Sequence, residues 1–133
     1  IDKIKNVQLS IYKNKLNRYE SYVISKGKFK NNTSIAVRVL SKRINNKKNL
    51  YNKEIKKNIK LLAKYKNFIL VIINNELSNK KKNPDITLRY YGIGAQILKD
   101  FNVKNMILLS RSKKNIISLE GFDLKIIKQI IIK

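Results

Sequence analysis

Apolar and polar residues alternate with period two along the first third of the chain. Val7-Gln8-Leu9-Ser10-Ile11-Tyr12 shows that alternation, Ser21-Tyr22-Val23-Ile24-Ser25 is a second β-rich run, and Ser34 to Leu40 is a third. Each predicts a strand. Turn formers lie between them, at Asn14 to Arg18 and at Gly27 to Asn32. Three short strands in succession with turns between predict an antiparallel meander. The polar stretch Ser41 to Asn52 is then expected to be a loop.

The period changes at Lys53. Ile55, Ile59 and Leu62 fall at i, i+4 and i+7, which marks one face of a helix over Lys53 to Lys64. Lys56, Lys57, Lys60 and Lys64 take the other face, where solvation is the default and a phosphate-binding stripe the alternative. Phe68 to Ile73 is continuously apolar, as a strand buried on both sides is. Asn74 to Asp85 is polar, includes Pro84 and is expected to be a loop. Gly92 to Phe101 predicts a second helix, with Ile93, Ile97 and Phe101 on one face. Gly94 and Ala95 are small enough to let it approach a sheet closely, and Asn102 can take the left-handed conformation that ends it. Val103 to Leu109 and Leu124 to Ile132 predict two more strands, with a polar turn from Ser110 to Lys114 after the first. Helices alternating with apolar strands after a meander argue for a mixed α/β fold, in one domain over residues 1–133.

Composition narrows the chemistry. The chain has neither cysteine nor histidine, which excludes disulfides, thiol nucleophiles, the usual zinc sites and a histidine base. Only eight residues are acidic and no D-x-D pair occurs, so an all-oxygen Mg²⁺ site is not expected either. No run of about 18 apolar residues spans a membrane, no signal-peptide pattern opens the chain, and a cytoplasmic location is expected. The formal charge is +23, from 31 basic residues of which five are Arg. Readers of nucleic acid favour Arg, whose planar fork matches phosphate and guanine. Lys, Asn and Ile together are what an AT-rich genome imposes on surface and core. The charge is therefore read as compositional drift ahead of nucleic-acid binding.

One block is distinctive beyond composition. Leu88-Arg89-Tyr90-Tyr91-Gly92-Ile93-Gly94-Ala95-Gln96-Ile97-Leu98-Lys99-Asp100 is followed by Lys104-Asn105-Met106-Ile107-Leu108-Leu109-Ser110 and by Ser118-Leu119-Glu120-Gly121-Phe122. In order and spacing it resembles GTP cyclohydrolase II of riboflavin biosynthesis, which shows D-x-R-D-Y-G-I-G-A-Q-I-L-x-D-L-G-V, R-L-L-T-N-N-P-K-K and L-x-G-Y-G-L. Val37-Arg38-Val39-Leu40-Ser41 is similar to the family's V-R-V-H-S. The resemblance implies a GTP cyclohydrolase II-like fold. It implies that Arg89 stands at the nucleophile arginine, that Thr87 replaces its partner aspartate, and that Asp85 lies nearby out of register. Ser110 stands at a GTP-contacting threonine and Asn115 at a GTP-contacting lysine, with Lys114 beside it as a substitute.

The departures are as informative as the match. The family binds zinc through three cysteines, one just after V-R-V-H-S and two in a following C-D-C. The corresponding region here, Lys42 to Asn52, has none, so no metal and no cofactor are expected. The family's E-G-R-G-I-G-L stretch, which contacts GTP, is replaced by a short Lys/Asn linker between Ile73 and Arg89. A degenerate domain is expected, inactive by itself. In that family the domain is often fused behind a 3,4-dihydroxy-2-butanone 4-phosphate synthase, and the absent start Met fits a C-terminal piece of such a fusion. The expected partners are a fused synthase domain or a second copy in a homodimer. GTP or phosphate would bind weakly, and neither nucleic acid nor membrane is expected as a partner.

Overall fold

Among the described residues, six strands and two helices follow in the order β1 (Val7–Lys13), β2 (Glu20–Lys26), β3 (Ser34–Lys42), α1 (Lys53–Leu62), β4 (Phe68–Asn74), α2 (Pro84–Asp100), β5 (Asn105–Ser110) and β6 (Lys125–Ile131). The structure is a computed structural model that describes residues 7–13, 20–29, 33–42, 52–74, 84–111 and 124–132, with the backbone alone for Glu20 and residues 84–91. The mixed α/β expectation holds. The strands form one sheet in the order β1-β2-β4-β3-β5-β6.

The expected meander does not form. β1 and β2 pair antiparallel, but β4 inserts between β2 and β3. β3 instead runs parallel to β4 on one side and to β5 on the other. Burial explains the change. β4 is buried at all seven positions, and Ile35 to Val37 of β3 are buried in succession. Strands apolar on both faces belong in the middle of a sheet with helices above and below. Local alternation identifies a strand but does not choose its neighbours, which is a long-range decision.

Each face carries one helix. Val23, Val37, Ile69, Val71 and Ile73 pack with Ala95 and Leu98 of α2. Ile24, Phe68, Leu70 and Ile72 pack with Ile55, Ile59 and Leu62 of α1, as the helical period predicts. Asn52 caps α1, its side-chain oxygen accepting the Ile55 N–H at 2.9 Å. Gly94 stands where α2 meets the sheet. A Cβ there would lie 3.4 Å from Val39 Cγ1 and 3.6 Å from Ile73 Cδ1, so the close approach expected of this residue is present.

Helix α2 begins at Pro84, not at Gly92, and the predicted loop therefore loses Pro84 and Asp85 to it. Proline lacks an N–H and has its φ preset, which suits the first turn of a helix and breaks only a helix interior. The far end is as predicted. Asn102 has φ of 61°, and its N–H donates to Lys99 O at 2.9 Å while Val103 N–H donates to Leu98 O at 3.1 Å. That is a Schellman cap. It takes Val103 out of the predicted strand, and β5 starts at Asn105 instead. At the edge, β6 pairs parallel to β5 with a register shift that leaves Ile127 without a ladder partner and 46% exposed. The turn predicted at Asn14 to Arg18 lies outside the described residues. At the other predicted turn Gly27 adopts φ of 103°, and a Cβ there would collide with Asn67 Oδ1.

Candidate functional site

The chain connections single out one place in the sheet. From β3 the chain passes over one face through α1 to β4, then returns over the other face through α2 to β5, on the far side of β3. The direction of winding therefore reverses between β3 and β5. Open α/β sheets hold ligands outside the carboxyl ends of their strands at such a point. Here those ends are Lys42 and Ser110. The first turn of α1 lies beside them, as its ion pair with Lys42 requires, and α2 starts from the same end of the sheet after β4.

A polar cluster occupies this position. Arg38 on β3 is 9% exposed, points to the α1 face and donates from Nε to Asn58 Oδ1 at 3.1 Å. Its Nη1 reaches Leu109 O of β5 at 3.4 Å. Asn58, itself buried in α1, donates through Nδ2 to Glu54 O at 2.8 Å. Glu54 in the first turn of α1 forms an ion pair with Lys42, and Arg111 Nη2 stands 4.0 Å from its Oε1. The arrangement ties β3, α1 and β5 together through one carboxylate and three cations. Side-chain exposures of 38% for Lys42, 29% for Glu54 and 64% for Arg111 mean that water screens the ion pairs. The buried Arg38–Asn58 link is the stronger constraint, because a desolvated polar group must keep its partner.

The residues expected at a site are only partly gathered here. Ser110 ends β5, and its Oγ accepts a hydrogen bond from Gln129 Nε2 of β6 at 2.8 Å. Thr87 and Arg89 fall in the first two turns of α2, in the segment described by backbone alone. Lys114 and Asn115 lie outside the described residues. The pattern reading missed Asn58 and Glu54, and it treated Arg38 only as part of a motif. A signal existed: Asn58 sits among Ile55, Ile59 and Leu62 on the apolar side of α1, and Arg38 interrupts an apolar strand. A polar residue in the middle of a buried pattern needs a partner, and these two are each other's.

The cluster is rich in cations and poor in metal ligands. Among the described residues no three His, Cys, Asp or Glu side chains gather to hold an ion. Within the same set, no helix is long and apolar enough to cross a membrane.

Comparison with known proteins agrees with the resemblance carried by the Arg89 block. The chain is 43% identical over 56 residues to the riboflavin biosynthesis protein RibBA of Aquifex aeolicus, covering 42% of this chain and 14% of that protein. It is 42% identical over 53 residues to RibBA of Bacillus cereus strain B4264, covering 40% and 13%. For RibBA of Chlorobium phaeovibrioides the identity is 41% over 63 residues, covering 47% and 14%. The chain thus matches only a small part of the length of these relatives. The sequence profile of GTP cyclohydrolase II matches residues 48–131, a span that runs from ahead of α1 through β6 and includes both helices and β4 to β6 but not β3. By that match the chain belongs to the GTP cyclohydrolase II family.

Proposed function

We propose that this domain is a degenerate member of the family that releases no formate from GTP and serves as a structural or regulatory module of a 3,4-dihydroxy-2-butanone 4-phosphate synthase. The donor set carries the reading. The family's zinc is held by cysteines, and this chain contains no cysteine and no histidine. Lys42 directly follows the V-R-V-H-S-like segment Val37–Ser41, and its ammonium group is paired with Glu54. A cation engaged with the nearby carboxylate is the opposite of a metal ligand set, so the residues present do not fit zinc. A metal lowers the pKa of its bound water from about 15.7 to about 7. No side chain of this chain supplies an equivalent, because no histidine is available as a base near neutrality.

The match to part of RibBA proteins supports a role in riboflavin biosynthesis. The family's habit of fusion to the synthase suggests packing, dimerisation or regulation of that partner as the remaining task. Purified protein incubated with GTP and Zn²⁺ is expected to release formate at the rate of the buffer. Release well above that rate would overturn the inactive reading. Deleting this segment from its parent chain is expected to change synthase assembly or thermal stability, and an unchanged synthase would remove the modular role.

Weak nucleotide or phosphate binding is a second reading. It is favoured by Ser110 and Arg111 at the carboxyl end of β5, beside the winding reversal. Lys114 and Asn115 follow in sequence and would complete such a site. Calorimetry with GTP and with pyrophosphate tests it, and the absence of heat at millimolar ligand rejects it.

A further inference from the structure

Helix α1 separates its residues by charge. Ile55, Asn58, Ile59 and Leu62 are buried against the sheet, while Lys53, Lys56, Lys57 and Lys60 are exposed on the opposite side. Lys64, in the turn after the helix, is exposed as well. At about 100° per residue the four helical lysines fall within an arc of about 100°, and Lys53, Lys57 and Lys60 climb it about one turn, 5.4 Å, at a time. The helix has one acidic residue, Glu54, and that carboxylate is engaged with Lys42 and Arg111 at the sheet edge. Among the described residues no ion pair involves the exposed lysines.

We infer that this face of α1 is a docking surface for the phosphate backbone of nucleic acid. Charge complementarity carries the inference, and the absence, among the described residues, of an exposed large apolar side chain on the face selects the partner. A helix that docks on a lipid surface inserts an apolar side next to its lysines. Here the apolar side is taken up by the sheet, with Ile55, Ile59 and Leu62 no more than 2% exposed and Leu61 partly buried against the same cluster. A protein partner would bury an apolar centre inside a polar rim, and among the described residues the exposed large hydrophobic side chains, Ile11, Ile127 and Ile131, all lie on edge strands away from α1. A row of ammonium groups alone matches an evenly charged polyanion. With lysine in place of arginine and no exposed aromatic ring on the helix, the contact neutralises phosphates and reads no bases. Neighbouring lysines repel at i, i+3 and i, i+4, so binding relieves strain within the helix and raises its stability.

Fluorescence anisotropy with a labelled 20-base-pair duplex, between 50 and 200 mM KCl, tests this. One variant carries K53Q, K57Q, K60Q and K64Q. A control carries K28Q, K99Q, K104Q and K125Q, four exposed lysines elsewhere, and so has the same net charge. Glutamine is a good helix former and removes the repulsion, so both variants are expected to fold, which circular dichroism verifies. The wild type is expected to bind with a log–log salt slope of about −3 to −5, as four or five phosphate contacts dictate. The α1 variant is expected to lose at least about tenfold in affinity at 50 mM KCl and to flatten that slope by about 3, while the control loses less than about threefold. Arginine at the same four positions restores binding. Equal losses in the two variants would overturn the assignment in favour of diffuse charge. Failure of the wild type to bind at 50 mM KCl would overturn it outright, as would equal or tighter capture by anionic phosphatidylserine vesicles.

Discussion

Arg38 and Asn58 are each costly alone and tolerable together. Both are buried, and each satisfies the other across the β3–α1 contact. Replacing Arg38 by Leu strands the Asn58 amide oxygen and is expected to lower stability by about 2–3 kcal/mol in urea unfolding. Adding Asn58→Leu removes the stranded group, and the double variant should recover most of the loss. A simple sum of the two single losses would mean that the pair is not coupled. Gly94 gives a prediction of the other sign. Its absent Cβ would sit at ordinary contact distance from Val39 and Ile73, so Gly94→Ala is expected to stabilise by about 0.5–1 kcal/mol through helix propensity. Gly94→Leu has no room and should destabilise by about 1–3 kcal/mol. Thermal melts of the two variants on either side of the wild type would bear this out. Gly94 was legible in the sequence as a close-approach position because its smallness is local. The Arg38–Asn58 pair was not, because 20 residues separate its members and no local pattern joins them.

The helices differ in how much of their extent the chain advertises. The apolar period of α1 is a local signal, and the helix starts at Lys53 where that period begins but ends at Leu62, two residues before the expected Lys64. The start of α2 was hidden by Pro84, a residue that in a polar stretch points equally to a loop and to a first turn. Its end was visible in Asn102. Asn102→Gly is expected to leave stability unchanged or slightly raised, whereas Asn102→Val should cost about 1–2 kcal/mol, because a β-branched residue resists positive φ. Equal urea midpoints for the two variants would contradict the capping role. Among the strands, β4 announced its burial through an unbroken apolar run. β6 did not announce its exposure: seven residues of mixed Lys, Ile and Gln cannot say that a bulge turns Ile127 outward.

At the scale of the molecule, β1, the segment that follows β2 and the end of α2 meet in an aromatic contact whose Tyr12 titrates. Tyr12 and Phe29 both lie 6.0 Å, centroid to centroid, from Phe101. Burial, and then the Asp100 carboxylate, raise the Tyr12 phenol above its ordinary value of 10.0. The fold therefore favours the neutral phenol, and the unfolded chain releases the proton first. The resulting stability is fully present below about pH 10 and is lost as pH rises from there through the raised value. Tyr12→Phe should accordingly show a shallower fall in unfolding midpoint above about pH 10 than the wild type, with the two parallel below it. Parallel curves throughout would exclude a role for Tyr12.

Taken alone, the order of residues determined which segments are helical or extended apart from the first turns of α2, that both layers of helix and sheet are present, which family the Arg89 block resembles, and that cysteine and histidine chemistry is absent. Those properties are local or are matters of inventory, and no folding is needed to read them. The tertiary structure decided that β4 lies between β2 and β3, that the winding reverses beside β3, and that Arg38, Glu54, Asn58 and Arg111 converge there. It also decided that the α1 lysines face solvent with, among the described residues, no exposed large apolar side chain beside them. Strand order and convergence depend on which buried faces can be covered at once, and that condition is met only by the whole chain.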